Sequence, residues 1–329
     1  MKITSHYIIG VDLGGTNIVS LFINEKGKVI VKDKRETLTE KGKETTINQI
    51  VESVKAVIEK GKKKGISFKS ILGIGIGSPG PLNTKEGLIY FAPNLPGWEN
   101  VPLKNILEKT LKMPVFLEND ANAAALGEWW IGAGKDVNNL VLFTLGTGIG
   151  GGIIINGEVV HGFRDTAAEI GHMIIHEEGL LCNCGTKGCL EAYASATGVV
   201  KRTISAIENG KKSILTEITN NHLKEITCKM VYESAKKGDE LCKWIVEETG
   251  RYLGIGIANM VNILNPEMII LAGGMIKAKA LLFDPTIKYA QKYALKAAIK
   301  KVKILPASLG DDSGATGAAA TVLKRRGKL

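Results

Sequence analysis

The stretch IIGVDLGGTNIVSLFIN at residues 8–24 is an apolar run, a glycine-rich turn and a second apolar run, and LVLFTLGTGIGGGIIIN at residues 140–156 repeats that plan. With residue 8 laid on residue 140, Leu13-Gly14 falls on Leu145-Gly146 and Ile23-Asn24 falls on Ile155-Asn156. Each copy reads as strand, tight turn, strand. One such hairpin is commonplace; the pair becomes informative because the order of elements after it also restarts. Tyr7 to Leu13, Asn17 to Asn24 and Lys28 to Arg35 read as strands. Thr45 to Lys64 follows as a helix, with Ile47, Ile50, Val51, Val54, Val57 and Ile58 at helical spacing. A strand at Ile71 to Gly77, a helix at Val101 to Leu111, a strand at Pro114 to Leu117 and a helix at Ala121 to Ile131 complete the first set. In the second set, inserted sequence runs from residue 157 to residue 240, and a long helix, Leu241 to Leu264, is closed by Asn265-Pro266. Then come a strand at Met268 to Leu271, a helix at Lys288 to Lys300, a strand at Val302 to Leu305 and a final helix at Gly314 to Lys324. The expectation is a duplicated α/β chain of two lobes with a cleft between them. Residues 1–119 plus 312–329 would form a small lobe and residues 120–311 a large one.

The glycine turns carry chemistry as well as geometry. In Asp12-Leu13-Gly14-Gly15-Thr16, glycines let backbone N–H groups approach a phosphate closely, and Thr16 adds a hydroxyl donor. The Asp12 carboxylate would repel phosphate unless a cation intervenes, which suggests Mg²⁺, bound directly or through water. In the second hairpin Thr144 stands where Asp12 stood, and Thr147 and Gly148 sit in the turn. One acidic and one neutral hairpin suit a metal–triphosphate, whereas either alone reads equally well as a tight turn. Gly75-x-Gly77-x-x-Gly80 and Gly146-x-Gly148-x-x-Gly151 both match a dinucleotide fingerprint, but neither opens a helix. A Walker A loop is absent too.

Glu118-Asn119-Asp120 ends a strand and starts a helix. A carboxylate there is oriented by helix N–H groups and is placed to accept a proton from a bound hydroxyl; the competing reading is a plain N-cap. Cys182-x-Cys184-x4-Cys189, with Gly185 and Gly188 allowing a tight loop, has the spacing of three thiolate ligands to a structural zinc. His172 and His176 compete as the fourth ligand. Glu169 and Glu191 lie close by in sequence, as surface acids or as partners behind the ligands.

Composition excludes more than it assigns. The 329 residues, 44% hydrophobic and 23% charged, are those of an ordered globular chain long enough for two domains. The net charge of +10 sits in lysine runs such as Lys60 to Lys64 and in the tail Lys324 to Lys328, and no nucleic-acid-binding motif accompanies it. Val137 to Gly157 has no charge but holds six glycines, so it reads as a buried hairpin and not as a membrane span. No secretory signal is expected, because Lys2 leads into a short strand-like run. Clustered thiols point to a reduced cytoplasm and a metal site, not to disulfides.

Taken together, these segments resemble the ROK family of repressors and sugar kinases, in particular its bacterial-type glucokinases. The resemblance spans essentially the whole chain. It rests on Asp12 to Thr16, Gly77 to Pro81, Pro93 to Trp98, Glu118 to Glu128, Leu145 to Gly152, Glu169 to His172, Cys182 to Glu191 and Leu271 to Gly274. It implies the duplicated hexokinase/actin-like (ribonuclease H-like) ATPase fold and phosphorylation of a hexose by ATP with Mg²⁺. Asp120 would be the general base. Gly77, Pro79, Asn94, Asn119, Glu169, His172 and Glu191 would contact the sugar along with Asp120. Asp12, Gly14, Gly15, Thr16, Thr147, Gly148, Gly273 and Gly274 would serve the nucleotide. The resemblance also chooses His172 over His176 to join Cys182, Cys184 and Cys189 on zinc. Asn17 stands where relatives often carry a basic residue, so no lysine contact to phosphate is expected there.

Glucose 6-phosphate is the expected product. Mannose, fructose, an N-acetylated hexosamine as acceptor, and polyphosphate as donor, remain open. A sugar-sensing repressor without turnover is the reading from another class, and the short segment before Asp12 leaves it no helix-turn-helix. A homo-oligomer, dimer or tetramer, is implied, with no nucleic-acid or membrane partner.

Overall fold

Alternation of side chains along the first strand sets the arrangement of the first layers. In the computed structural model, which describes residues 6–329, β1 (Tyr7–Leu13) pairs antiparallel with β2 (Asn17–Asn24), and β2 pairs with β3 (Val29–Glu36). Ile9, Val11 and Leu13 face one way and join Ile50, Val54 and Val57 of α1 (Lys43–Lys63) in the larger core. Ile8 points the other way, into a cluster with Ala319, Val322 and Leu323. Burying each of these aliphatic side chains contributes about 2 kcal/mol.

The sheet continues on the other side of β1 with β4 (Ile71–Ser78), and then, beyond a small sheet of β5 (Leu82–Asn83), β6 (Leu88–Phe91) and β7 (Glu99–Val101) and helix α2 (Leu103–Leu111), with β8 (Val115–Asn119). Its order is β3-β2-β1-β4-β8, with β1, β4 and β8 parallel. Helix α3 (Asp120–Ile131) leaves the end of β8 directly.

The second sheet is built from β9 (Leu140–Leu145), β10 (Ile149–Ile155), β11 (Glu158–Val159), β12 (Met268–Ala272) and β13 (Lys303–Pro306). Its order is β11-β10-β9-β12-β13. Both sheets therefore run third, second, first, fourth, fifth in chain order, which bears out the duplication expected from the two hairpins. The sequence between β11 and β12 forms α4 (Leu190–Ala194), α5 (Ala196–Glu208), α6 (Leu215–Ile218), α7 (Cys228–Lys236) and the long α8 (Glu240–Leu264).

The helix expected over Lys288 to Lys300 is instead two helices, α9 (Ala280–Tyr293) and α10 (Lys296–Ile299). α9 starts earlier than expected and contains Pro285, which packs where Gly250 of α8 leaves room; a Cβ on Gly250 would come within 2.5 Å of the proline ring. The break follows at Ala294, which is extended, and the Leu295 N–H turns away to the Asn262 side chain at 2.9 Å.

The last helix, α11 (Ser313–Arg325), is rich in glycine and alanine for a steric reason. It lies so close to β1, β4 and α3 that a Cβ on Gly10 would sit 1.8 Å from the Ala315 carbonyl oxygen, and a Cβ on Gly317 would sit 1.5 Å from that of Ala123. Buried Glu128 of α3 anchors the approach to α11 by accepting N–H groups of Ala133, Ser308 and Leu309.

Contacts divide the chain into two compact units, residues 1–138, 152–168 and 308–329 in one, and 139–151 and 169–307 in the other. The division passes through β10. Among the described residues, no helix is long and apolar enough to cross a membrane.

Candidate functional site

In the first unit, β1, β4 and β8 are parallel, so their carboxyl ends lie along one edge, where open α/β sheets bind ligands. Register aligns Asp12 with Gly77, Gly77 with Glu118, and Ser78 with Asn119. The glycine turn beyond β1 is fixed by the Gly14 N–H on the Asn17 carbonyl at 3.0 Å, and by Thr37, whose hydroxyl donates to the Gly14 carbonyl at 2.7 Å. Thr16 is exposed. Asn94 backs onto this turn: a Cβ on Gly15 would lie 3.2 Å from its Cβ. The turn Gly77 to Gly80, which includes Pro79, abuts Asn119, whose Nδ2 would be 3.7 Å from a Cβ on Gly80.

Asn119 caps α3. Its Oδ1 accepts the N–H groups of Ala121 and Asn122 at 3.0 and 3.2 Å, while Asp120 Oδ1 accepts the Ala121 N–H at 2.8 Å. The cap thus belongs to Asn119, and Asp120 is the first residue of the helix, its carboxylate held by the helix N-terminus. Asp12 packs its carboxyl against Gly314 at the start of α11, where a Cβ would be 2.6 Å from Oδ2. Burial first, and then the Asp120 carboxylate, push the Asp12 carboxyl up to about 7. Two neighbouring carboxyls, one of them half-buried and strongly desolvated, form a donor set that favours a cation, so the residues present fit Mg²⁺.

The second unit shows a counterpart. β9 and β12 are parallel, with Thr144 beside Ala272. Gly273 turns off β12 at φ +93°, where a Cβ would strike the Leu145 carbonyl oxygen at 2.4 Å. Thr147 and Gly274 both line a cavity of ≈ 380 Å³, with Tyr232, Cys228 and Lys236 of α7 as further walls. No pattern in the sequence marked those three α7 residues; they reach the cavity only because α7 folds back over it. A larger cavity of ≈ 690 Å³ is lined by Tyr193, Arg202, Trp244 and Tyr252, and touches the expected residues only at Cys182 and Glu191.

One carboxylate ties the second hairpin to the cysteine loop. Glu191 Oε2 accepts the Ile149 N–H at 2.8 Å and occupies the space beside Gly148, where a Cβ would come within 2.3 Å of it. Its other oxygen lies 3.8 Å from Cys182 Sγ. Ligand atoms of His172, Cys182, Cys184 and Cys189 all lie within 4.8 Å of one another. Cys184 Sγ and Cys189 Sγ are 3.7 Å apart, and His172 presents Nδ1 to Cys182 Sγ at 3.9 Å. A tetrahedral ion with bonds of about 2.3 Å to sulfur separates its ligands by about 3.8 Å, so the cluster fits zinc. His176 is not in it; its ring stacks on Tyr193 instead. Glu169 is exposed and precedes the short turn of helix Ile170–His172.

The model of the ROK family matches residues 8–325. The chain belongs to the ROK family. A glucokinase of Thermotoga maritima is 37% identical over 320 residues, covering 97% of this chain and 98% of the relative. A xylose repressor of Caldicellulosiruptor bescii is 35% identical, covering 92% of this chain and 76% of the repressor. Among solved structures, the ROK glucokinase of Streptomyces griseus in complex with glucose and AMPPNP superposes with a TM-score of 0.78 at 33% identity, covering 95% of this chain and 98% of the other. The ROK sugar-kinase fold, an actin-like ATPase fold with two mixed α/β sheets, is therefore the fold of this chain.

Proposed function

We propose that this ROK protein is a glucokinase that transfers the γ-phosphoryl group of ATP to the 6-hydroxyl of glucose. The observation that carries the reading is Asp120, a carboxylate set at the N-terminus of α3 straight after β8, on the strand edge that also ends in Asp12. Asp120 takes the proton of the 6-hydroxyl as its oxygen bonds to phosphorus; the bond from phosphorus to the bridging oxygen breaks, and ADP leaves with that electron pair. A loose transition state needs little covalent help, so positioning and neutralisation of charge are the main contributions of the protein.

Gly77, Pro79, Asn94, Asn119, Glu169, His172 and Glu191 bind and orient the sugar hydroxyls. The Asn119 Oδ1 is engaged by its cap bonds, which leaves its Nδ2 as the donor toward sugar. Gly14, Gly15, Thr16, Thr147 and Gly148 hold the phosphates through backbone and hydroxyl donors. Gly273 and Gly274 flank the adenosine, for which the ≈ 380 Å³ cavity is a fitting container. Mg²⁺, when bound, supplies charge neutralisation at the phosphoryl oxygens, and Asp12 is the residue to hold it. His172, Cys182, Cys184 and Cys189 hold one structural Zn²⁺, which fixes the loop bearing Glu191 and leaves His172 Nε2 for sugar.

A coupled ADP-release assay over glucose, mannose, fructose and N-acetylated hexosamines, with ATP and polyphosphate compared as donors, tests this. Glucose with ATP is expected to give the highest kcat/KM. ADP release with none of the sugars would sink the reading, and a preference for another hexose or for polyphosphate would redirect it.

A further inference from the structure

Beside Asp120 in sequence lies a buried carboxyl, held by a half-buried histidine, that the reaction as described does not use. Glu118, the residue before the Asn119 cap, is 2% exposed. A carboxylate taken out of water costs several kcal/mol, roughly, unless donors replace the lost hydration. Three donors meet it. Oε1 accepts the Asn119 N–H at 3.0 Å and the Asn122 Nδ2 at 3.3 Å, and Oε2 accepts His161 Nε2 at 2.9 Å. The hydrogen bond to Glu118 is the main reason that the His161 imidazole titrates above its ordinary range. The other charged groups near the ring are Asp165, which also raises it, and Arg325, which opposes.

The cap of α3 is complete without Glu118, because Asn119 and Asp120 already accept the first helical N–H groups. What Glu118 adds is orientation. Its hold on Asn122 leaves the Asn122 Oδ1 buried with no hydrogen-bond partner in the protein, a cost of about 1–3 kcal/mol accepted to aim the amide at the carboxylate. His161 is in turn fastened at a distance. Asp165, at φ +55°, accepts both the Thr84 N–H and the Thr84 hydroxyl at 3.0 and 3.1 Å, which pins the turn following His161. His161 thus holds Glu118, and Glu118 holds Asn119 just before Asp120 and Asn122 two positions after it, while the Asp165–Thr84 bonds steady the turn that follows His161.

We propose that His161 is a positioning residue for the Asp120 carboxylate, acting through Glu118. Asp120 being read as the general base, His161 sets the angle at which β8 hands over to α3 and so the direction of the base toward the hydroxyl. Misplacement of a reacting group by 1 Å costs on the order of 100-fold in rate.

The experiment compares His161→Ala, His161→Gln, Glu118→Gln and the double variant Glu118→Gln/His161→Ala in the glucose-dependent ADP-release assay, with melting temperatures taken alongside. His161→Ala is expected to lower kcat by about 10- to 100-fold while the KM for glucose stays within about 3-fold. His161→Gln, which restores an amide donor to the same oxygen, should recover kcat to within about 3-fold of wild type. The double variant should be no slower than His161→Ala, because the two residues act as one unit. A His161→Ala enzyme within about 2-fold of wild type in kcat overturns the proposal. So does a parallel loss of kcat, glucose affinity and melting temperature that Gln does not recover, which would mark the pair as structural. If the wild type itself releases no ADP with any sugar, the glucokinase reading has failed, and the positioning role fails with it.

Discussion

The hairpin after β1 and the hairpin after β9 share a backbone plan, yet their strand-end side chains have opposite uses. Thr144 turns its hydroxyl inward and accepts the Gly150 N–H of its own hairpin at 3.1 Å. Asp12, in the equivalent place, faces the start of α11 and shares its surroundings with Asp120. The second hairpin is then tied to the cysteine loop through Glu191, whereas the first is held by Thr37 and packs against Asn94. Duplication produced two similar glycine turns; divergence made one of them electrostatically costly and the other structurally secure. Residues that destabilise a fold while serving a reaction are the usual mark of a functional site.

The comparison breaks most sharply at Asp120. Asp120→Asn keeps the side-chain oxygen that accepts the Ala121 N–H but removes the proposed base, so kcat should fall by about 10²- to 10⁴-fold while glucose binding, followed by calorimetry, persists. An unchanged kcat would remove Asp120 from the chemistry.

Asp12→Asn is expected to cut turnover by about 10²- to 10³-fold, because it weakens the proposed hold on the Mg²⁺ that would neutralise the phosphoryl charge. The same substitution should stabilise the metal-free protein. The carboxyl of Asp12 titrates near 7 when folded against 3.8 when free, so the folded state holds a proton that the unfolded state has lost. Stability therefore declines as pH rises from 3.8 toward 7, and the full penalty is present above that. Melting curves of metal-free protein should show this decline in wild type and a shallower one in Asp12→Asn.

On the other side of the comparison, Cys184→Ser should reduce zinc, measured by atomic emission, from about one per chain to a small fraction and raise the KM for glucose more than it lowers kcat. Fully active wild type without metal would refute the zinc assignment. The smallest effect is expected at Thr144→Val, which loses about 1 kcal/mol of stability in chemical denaturation and leaves kcat within about 2-fold. A larger kinetic effect there would mean that the two hairpins are less different than their hydrogen bonds indicate.

Much of the site was legible in the sequence because its parts are local. A glycine turn needs only neighbouring residues, three thiols within eight positions already define most of a tetrahedral site, and Asn119-Asp120 carries its own cap. His172 joins the thiols as the resemblance implied, through a Cys182 contact at 3.9 Å. His161 escaped notice, since a lone histidine 43 positions from Glu118 leaves no pattern. The α7 wall of the ≈ 380 Å³ cavity and the bond from Asn262 that ends α9 at Leu295 were equally hidden.

By itself, the sequence determined the strands, their duplicated order and the chemistry of each turn, because apolar period, glycine and capping residues act over a few positions. The tertiary structure alone decided that α11 returns against β1 and β4, that Asp12 and Asp120 become mutually repelling neighbours, and that His161 meets Glu118 at 2.9 Å. Burial and Coulomb interactions depend on distance in space, and distance along the chain gives no measure of it.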